Sequence, residues 1–512
     1  MNNRGMNERI QKLRKQSVGI DPRLYMERAN LVTDAYLKYE GSVSIPELRA
    51  LSFKHFLENK TISINDGELI VGEKGNGPQE APTFPELCCH TLEDMKIMDE
   101  RELIGFKVKK EDFKLQEEKI IPYWEKRSIR NKIIDSMTEE WKRCYETGIF
   151  TEFMEQRGPG HTVGSTAIYE NGFNDYIARI DEKIKTLDFL NDKEALEKRD
   201  QLKAMRISCE AIIILGKRYA DLALEMAERE SDKVRKEELL QIAHNCSVVP
   251  KNKPTSYWQA IQMYWFVHLG VTTELNPWDA FSPGRLDQHL YPFYKNDLRE
   301  GNLDDERALE LLESLWIKFN NQPAPPKVGV TLKESSTYTD FANINTGGVT
   351  ADGHDGVNEV SYLILECMDE MKLLQPSSNV QISRKTPQAF LKKACDISRE
   401  GWGQPAFYNT EAIIQELLNA GKTIEDARLG GSSGCVETGA FGSEAYILTG
   451  YFNLPKILEL TLNNGYDKVS NQQLGLELGY AEDFKSYEEL FAAYEKQVNY
   501  FVNIKLEGSN II

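Results

Sequence analysis

Apolar residues recur at three- and four-residue spacing through most of this chain, a pattern typical of amphipathic helices. Over residues 181–245 the pattern continues without proline, and it predicts long helices with a break near residues 230–233. Another helix is predicted over residues 305–319, after acidic residues that suit a helix start. Residues 44–57 predict a further helix, with Ser44 as its N-cap. The chain is therefore expected to be rich in helix.

Strand patterns are short and scattered between these helices. Residues 61–64 and 68–71 flank Asn65-Asp66-Gly67, which predicts a β-hairpin. Three further strands are predicted, over residues 328–332, 379–382 and 405–408. Helices interleaved with short strands predict an α/β barrel or a layered α/β fold, in which loops at strand ends carry the chemistry.

Charge and hydropathy exclude several classes of function. The 512 residues include 62 Lys and Arg against 80 Asp and Glu, a formal net charge of -18, so nucleic acid and anionic membranes are poor partners. The first residues are charged and helix-like rather than typical of a signal peptide. Apolar runs are also too short to span a membrane. These features predict a soluble, cytoplasmic protein.

Three short motifs indicate weaker possibilities. The eight cysteines show no paired spacing, so reduced thiols are expected, and Cys88-Cys89-His90 lacks a second cluster that would complete a zinc site. The DGHDG run at residues 352–356 begins like a calcium loop but has no glutamate at its far end, so it predicts a solvated turn. The GEKGNG run at residues 72–77 has neither a dinucleotide-binding nor a P-loop spacing.

The segment GSSGCVETGAF at residues 431–441 carries the strongest chemical signal. Cys435 lies among glycines, with Glu437 two residues later. In an extended backbone these two side chains would lie on one face, about 6.5–7 Å apart between Cα atoms. The glycines suit a loop that enters a confined site. The alternative is a buried structural cysteine in a turn.

Other polar residues lie in loops beside aromatic residues. His161 follows glycine and proline in EQRGPGHT, Asp279 lies beside Trp278 in NPWDAFSPGR, and Asp340 precedes Phe341 in SSTYTDFAN. Acidic groups among aromatic rings are candidates for shifted protonation and ligand contact. Taken singly, a loop carboxylate of this kind is more often a turn former or helix cap.

Together these motifs resemble the glycyl radical enzyme family. The resemblance rests on GSSGCVE, GHT, PWDAF and TDFANIN, and it extends through QPAPPKVG, NVQIS and QPAFYN. It covers residues 1–512 as the amino-terminal portion of a pyruvate formate-lyase-like domain. The fold that it implies is α/β, a ten-stranded barrel of two half-barrels wrapped in helices, here incomplete at the carboxy terminus.

The resemblance also implies roles for individual residues. Cys435 would become a thiyl radical, and Glu437 would be the adjacent acid/base group. The implied reaction is radical dehydration of trans-4-hydroxy-L-proline to 1-pyrroline-5-carboxylate. Three residues would hold the substrate's hydroxyl and ring amine: His161, Asp279 and Asp340. Three more would shape the pocket: Ser335, Phe341 and Tyr451.

No bound cofactor is expected; the radical would be stored on a glycine and installed by a radical S-adenosylmethionine activating enzyme. The family's segment R-V-x-G-Y has no match here, since LTGYF, NNGYD and ELGYA all differ from it. The chain is therefore expected to lack the carboxy-terminal glycyl radical domain, through truncation or as half of a split enzyme. Alone it would be inactive, with an exposed half-barrel edge prone to aggregation. A homodimer is possible.

Several alternatives remain at this level. Diol dehydratases, choline lyase and arylacetate decarboxylases of the same family share the G-C-V-E signature, whereas its acyltransferases use two adjacent cysteines. The aspartates of PWDAF and TDFAN favour a substrate that carries an amine as well as a hydroxyl. Outside the family, Cys435 with His161 would suit a thiol hydrolase. The chain is also compatible with an inactive binding partner.

Overall fold

In a computed structural model of the chain, helices surround a short run of parallel strands. The structure describes residues 5–102, 104–154, 161–278, 281–329, 332, 341–434, 436–443 and 450–512, with only the backbone at 161 and 162. The α-helices of these residues are, in order, Glu8–Gly19, Glu27–Tyr39, Ile45–Asn59, Leu92–Glu100, Lys110–Leu115, Ile121–Trp124, Ile129–Ser136, Glu139–Glu146, Ala167–Glu170, Phe173–Lys185, Ala195–Arg229, Lys233–Val248, Tyr257–Glu274, Leu286–Glu300, Asp305–Asn320, Glu359–Met371, Gln388–Ser398, Thr410–Asn419, Ile424–Leu429, Leu454–Leu462 and Tyr487–Ile511. A π-helical turn covers Gln116–Ile120 and a 3-10 turn covers Ala481–Asp483.

The strands are short. In chain order they are β1 Arg23–Tyr25, β2 Glu80–Pro82, β3 His161–Thr162, β4 Phe281–Ser282, β5 Asn343–Gly347, β6 Ser377–Ile382, β7 Ala406–Asn409, β8 Gly431–Ser433, β9 Glu437–Gly439, β10 Tyr466–Asp467 and β11 Gln472–Gln473. Parallel pairs are β1 with β2, β3 with β4, β5 with β6 and β6 with β7, whereas β8–β9 and β10–β11 are antiparallel.

Five of these strands follow one another in chain order as a parallel series. β3 pairs with β4, and a parallel bridge between Arg285 and Asn345 links the end of β4 to β5, which continues through β6 to β7. Helices lie between consecutive strands, as parallel connections require. This helix-rich α/β architecture confirms the predicted fold class.

The helix Tyr257–Glu274 forms the centre of the largest apolar core. All but three of its 18 residues are buried, and helices on several sides pack against it. It is apolar around most of its circumference, as expected of a helix with no solvent-facing side. Because Phe281 of β4 and Ile344 of β5 belong to the same cluster, this core packs directly against the two strands.

The helix predictions are largely confirmed. The break near residues 230–233 separates Ala195–Arg229 from Lys233–Val248, and Asp304 caps the helix Asp305–Asn320 through the amide of Arg307. Residues 181–185 instead end an earlier helix, Phe173–Lys185. Ser44 occupies the predicted N-cap position but makes no side-chain capping bond.

The predicted hairpin over residues 61–71 is wrong, although its turn is present. Gly67 adopts a left-handed φ of 80°, but neither flanking segment forms a strand. The second segment bonds to side chains of a helix instead: the Gln262 carboxamide accepts from and donates to the peptide groups of Val71, at 2.9 Å each. Trp258 also donates to the carbonyl of Leu69. Side chains of a distant helix therefore make hydrogen bonds to this segment that a paired strand would otherwise make.

The other strand predictions have mixed outcomes. Residues 379–382 and 405–408 match β6 and β7 to within two residues. The strand predicted over 328–332 is wrong in the part described, because residues 328 and 329 form a bend and a turn and Leu332 is helical. β5 was not predicted.

The GEKGNG run lies inside the protein, where protein groups surround it. Glu73 and Lys74 are buried. The ammonium group of Lys318 donates to the carboxylates of Glu73, at 2.7 Å, and Glu68, at 2.6 Å. Lys60 donates to the carbonyl of Glu73. The segment is thus a structural junction between the chain after Gly67 and the helix Asp305–Asn320.

The cysteines outside the 431–441 segment are free thiols, six of them buried. Burial raises the pKa of Cys89 to about 12, so this thiol stays protonated at neutral pH. In the described part of the chain, no three His, Cys, Asp or Glu side chains form a group that could hold a metal ion. Asp352 and His354 instead bond to each other in an exposed turn. Among the helices described, none is both long and apolar enough to cross a membrane.

Candidate functional site

The segment around Cys435 forms an antiparallel hairpin. Its strands β8 and β9 pair Gly431 with Gly439 and Ser433 with Glu437, so three residues, 434–436, connect them. Gly434 adopts a left-handed φ of 59°, which favours glycine at this turn. Cys435 is the middle residue of the connection, and its own placement lies outside the described residues.

Glu437 opens the second strand of this hairpin. It is half-buried, and its carboxylate accepts a hydrogen bond from the amide of Val436 at 3.0 Å. Val436 lies in the turn and is 70% exposed. Val436 thus belongs to the turn and not to β9. The spacing expected between Cys435 and Glu437 stays a prediction, because Cys435 lies outside the described residues.

Residues of β4 and β5 hold the first strand of the hairpin. The Asn345 carboxamide bonds to both peptide groups of Ser432, and the Asn343 carboxamide donates to the carbonyl of Gly434 at 3.3 Å. The hydroxyls of Ser282 and Ser433 lie 3.0 Å apart in a hydrogen bond. Consecutive hairpin residues are thus attached to two strands of the parallel series.

These contacts set the direction of the hairpin. Ser432 bonds to Asn345 and Gly434 bonds to Asn343, so β8 runs antiparallel to β5, towards its amino-terminal end. The Ser282 hydroxyl oxygen also accepts a hydrogen bond from the amide of Asn343, at 3.2 Å, which joins β4 to β5 at the same place. The turn of the hairpin therefore lies at the end of the sheet where the chain enters β4 and β5.

Several predicted site residues come at this same end. His161 begins β3, and Phe341 lies two residues before β5, half-buried, with a left-handed φ of 56°. A positive φ is uncommon for an aromatic residue and is found more often at functional sites. Three other predicted residues lie outside the described part of the chain, Asp279, Ser335 and Asp340. The side chain of His161 is likewise not described.

Tyr451 belongs to an aromatic wall that leads to the same region. It is 60% exposed, and its ring packs edge-on against Phe153, with 5.1 Å between centroids. The ammonium group of Lys327 lies 4.3 Å from the Phe153 ring centroid and 5.6 Å from that of Trp278. Because Trp278 directly precedes Asp279 in sequence, the wall extends from Tyr451 towards the start of β4.

Arg285 is a structural residue that sequence reasoning missed. Fully buried, it donates to the carbonyls of Gly347, Val349 and Arg428, each at 3.2 Å. Burial lowers its pKa to about 10, which still leaves the guanidinium charged at neutral pH. It thereby joins the start of one helix, Leu286–Glu300, to the far end of β5 and to the residues just before the hairpin.

The amide residues of the site were missed as well, although the sequence carries a signal for them. Asn343 and Asn345 alternate with Ile344 and Thr346, as Asn379 and Gln381 alternate with Val380. Such alternation usually indicates a strand with one solvated face. Here both faces are buried, and the polar face holds the hairpin.

The chain is similar to known proteins in both sequence and fold. The family model described as pyruvate formate lyase-like matches residues 6–512. Trans-4-hydroxy-L-proline dehydratase from Clostridioides difficile is 66% identical over 509 residues, which cover 99% of this chain and 64% of that protein. The crystal structure of hydroxyproline dehydratase from the same organism, with trans-4-hydroxy-L-proline bound, aligns with a TM-score of 0.94 at the same coverage.

A more distant structure has the same fold. The glycerol-bound, B12-independent glycerol dehydratase from Clostridium butyricum aligns with a TM-score of 0.90 at 35% identity, over 100% of this chain and 64% of that one. The chain thus spans about 64% of the length of these relatives. By the match over residues 6–512 and by this likeness in sequence and fold, the chain belongs to the glycyl radical enzyme, or pyruvate formate lyase-like, family.

Proposed function

We propose that the protein containing this chain dehydrates trans-4-hydroxy-L-proline to 1-pyrroline-5-carboxylate by a radical reaction. The 66% identity to a dehydratase of that substrate supports this assignment over more distant members of the family. The observation that carries it is the direction of the hairpin. Cys435 is the middle residue of its turn, and the turn lies where the chain enters β4 and β5. Asp279 and Asp340 shortly precede these two strands in sequence.

Cys435 and Glu437 would carry the chemistry. A cysteine sulfur can alternate between thiol and thiyl, so Cys435 would remove a hydrogen atom from C5 of the substrate, beside the ring nitrogen. Loss of the C4 hydroxyl as water then needs a proton, which Glu437 would supply from the start of β9 and regain when the ring nitrogen releases a proton. The product radical at C4 would take the hydrogen atom back from the Cys435 thiol, which restores the thiyl. General acid catalysis of this kind typically contributes about 100- to 10,000-fold in rate.

The remaining site residues would bind the substrate. His161, Asp279 and Asp340 would hold its hydroxyl and ring amine, because carboxylates suit a cationic amine. Ser335 would contribute to the pocket wall with Phe341, which lies two residues before β5, and with Tyr451, which packs against Phe153.

The radical would come from a glycine, as the family implies. When present, a glycyl radical would accept the hydrogen atom of the Cys435 thiol, which leaves the cysteine in its thiyl form. Val436, the neighbour of Cys435 in sequence, is 70% exposed at the turn, which suits the approach of such a glycine to this part of the hairpin. A radical S-adenosylmethionine activating enzyme would be the partner that installs the radical.

The assay uses the polypeptide encoded by the complete reading frame that contains this chain. After anaerobic activation with the activating enzyme and S-adenosylmethionine, it is expected to convert trans-4-hydroxy-L-proline to 1-pyrroline-5-carboxylate, followed by mass spectrometry. Cys435→Ser should abolish the product, and Glu437→Gln should lower kcat by about 100-fold or more. Cys395→Ser, at an exposed cysteine outside the site, should retain activity.

Two results would reject the proposal. Consumption of glycerol or another diol without any pyrroline carboxylate would assign the protein to a different eliminase of the family. Turnover that persists in Cys435→Ser would exclude a thiyl mechanism altogether.

A further inference from the structure

The Asn345 side chain imitates a neighbouring β-strand. Its Nδ2 donates to the carbonyl of Ser432 at 2.7 Å, and its Oδ1 accepts from the amide of the same residue at 3.1 Å. A residue in an adjacent strand would make this same pair of bonds through its backbone. Both residues are fully buried, so water does not compete for these groups.

Gln381 fixes the orientation of that carboxamide. Its Nε2 donates to Asn345 Oδ1 at 3.1 Å and to the carbonyl of Gly430 at 3.2 Å. Since a carboxamide nitrogen cannot accept a hydrogen bond, Asn345 must present its oxygen to Gln381 and its nitrogen to Ser432. The two residues stand on β5 and β6, so two strands of the parallel series act on the hairpin together.

The hairpin needs such support. β8 and β9 are three residues each and pair with each other, and an isolated two-stranded ribbon of this length is marginally stable at best. Asn343 and Ser282 each attach it through a single hydrogen bond to Gly434 and Ser433. Asn345, by contrast, makes two hydrogen bonds to one hairpin residue, Ser432.

We propose that Asn345 is a positioning residue, which fixes β8 and thereby the approach of Cys435 to the substrate. The effect on turnover rests on the proposed function, whereas the effect on β8 does not. Hydrogen-atom transfer depends steeply on the placement of the reacting atoms, and a displacement of about 1 Å can lower a rate about 100-fold. Asn345 would act through the backbone of Ser432 without touching the substrate.

The first test measures β8 directly. In hydrogen exchange followed by mass spectrometry, the peptide spanning residues 430–434 should exchange about tenfold faster in Asn345→Ala than in the parent chain. Asn379→Ala is the matched control: it removes a carboxamide at the position paired with Asn345 in β6, where the side-chain nitrogen has no partner. Its exchange should stay within about twofold of the parent.

Asn345→Asp provides a second variant of the same size. It keeps an oxygen for Gln381 and for the Ser432 amide but loses the donor to the Ser432 carbonyl, so exchange should again be faster than in Asn379→Ala. This variant decides the question if Asn345→Ala does not fold. Equal protection of residues 430–434 in the Asn345 and Asn379 variants would overturn the proposal.

The second test uses the activated enzyme from the complete reading frame. Asn345→Ala should lower kcat about 10- to 100-fold and change KM less than about threefold, with an unchanged glycyl radical signal in electron paramagnetic resonance. A faster exchange with unchanged kcat would overturn the positioning role. If neither the parent nor Asn379→Ala consumes hydroxyproline, the proposed function fails, and the exchange result still decides how β8 is held.

Discussion

Gly431 lets β8 lie directly against the carboxamides of Asn345 on β5 and Gln381 on β6. A Cβ atom at this position would be 2.6 Å from a ring carbon of Phe441 and 2.7 Å from Asn345 Oδ1, and it would also collide with Gln381 Nε2. These distances are well inside van der Waals contact. The backbone φ of Gly431 is not in the left-handed region, so its requirement for glycine is one of space.

Gly431→Ala is therefore expected to displace β8. Since Phe441 and the two carboxamides are buried, the added methyl group has to move the strand itself. We expect kcat of the activated enzyme to fall about 100-fold, at a cost of about 1–3 kcal/mol in the free energy of unfolding. Gly19→Ala is the control, because nothing lies within 4 Å of the Cβ that it would add. Parent-like kcat in Gly431→Ala would show that β8 tolerates the shift.

At the residue scale, the candidate catalytic residues were easier to predict from the sequence than the residues that hold them in place. A cysteine and a glutamate among glycines are conspicuous, and the site proposal still rests on them. Asn345 and Gln381 are not, because alternating polar residues look the same whether they face water or the inside of a sheet. Only the paired positions of β5, β6 and β8 distinguish the two cases.

At the scale of elements, a carboxyl group is buried where two helices pack. Glu313 lies on Asp305–Asn320 and faces Glu359–Met371; its Oε1 has no hydrogen-bond partner. Burial, with a further contribution from Glu370, raises the pKa of Glu313 from 4.5 to about 9. Glu310 and Glu366 add smaller effects in the same direction. The interface therefore holds a carboxyl group that is protonated at neutral pH.

This group should make the free energy of unfolding fall as pH rises from about 4.5 to about 9. Over that range an unfolded Glu313 has released its proton while the native one keeps it, so the unfolded state binds fewer protons. Glu313→Gln removes this difference and should stabilise the chain by about 1–3 kcal/mol at pH 8, and far less at pH 5. Thermal unfolding at both values measures it.

Glu306→Gln is the control for this prediction, because Glu306 is an exposed residue in the first turn of the same helix. It should change neither the stability nor its pH dependence by more than about 0.5 kcal/mol. A Glu313→Gln variant that is less stable at pH 8 than the parent would contradict the assignment of a neutral carboxyl group.

Helices and strands were predicted correctly where residues close in sequence determine the structure. The helix Asp305–Asn320 is specified by its own periodicity and by Asp304, and both features survive in the structure. The hairpin over residues 61–71 depended on which distant groups would bond to the backbone. Gln262 and Trp258 lie about 190 residues away, as their bonds to Val71 and Leu69 show, and no local pattern identifies them.

At the scale of the molecule, burial decreases across the parallel strands. All five residues of β5 are buried, β6 is buried except at its ends, and β7 is exposed at three of four positions. In the described part of the chain β7 pairs with β6 alone. Parallel strands are normally covered on both faces. An exposed strand at the edge of a sheet presents backbone groups with which another copy of the chain can pair. Which strands pair with each other was implied by the resemblance to the family, because periodicity identifies single strands and not their partners.

The 1–512 polypeptide is therefore expected to self-associate through β7, more strongly as salt increases. At low salt the net charge of -18 keeps copies apart, and screening shortens the range of that repulsion from about 10 Å at 0.1 M to about 3 Å at 1 M. Phe407, 39% exposed on β7, should strengthen the contact, and Phe407→Lys should suppress it. Leu190→Lys is the control, since Leu190 is 94% exposed in a turn between helices. Sedimentation velocity at increasing salt measures association, and equal association in both variants would exclude β7 as the contact.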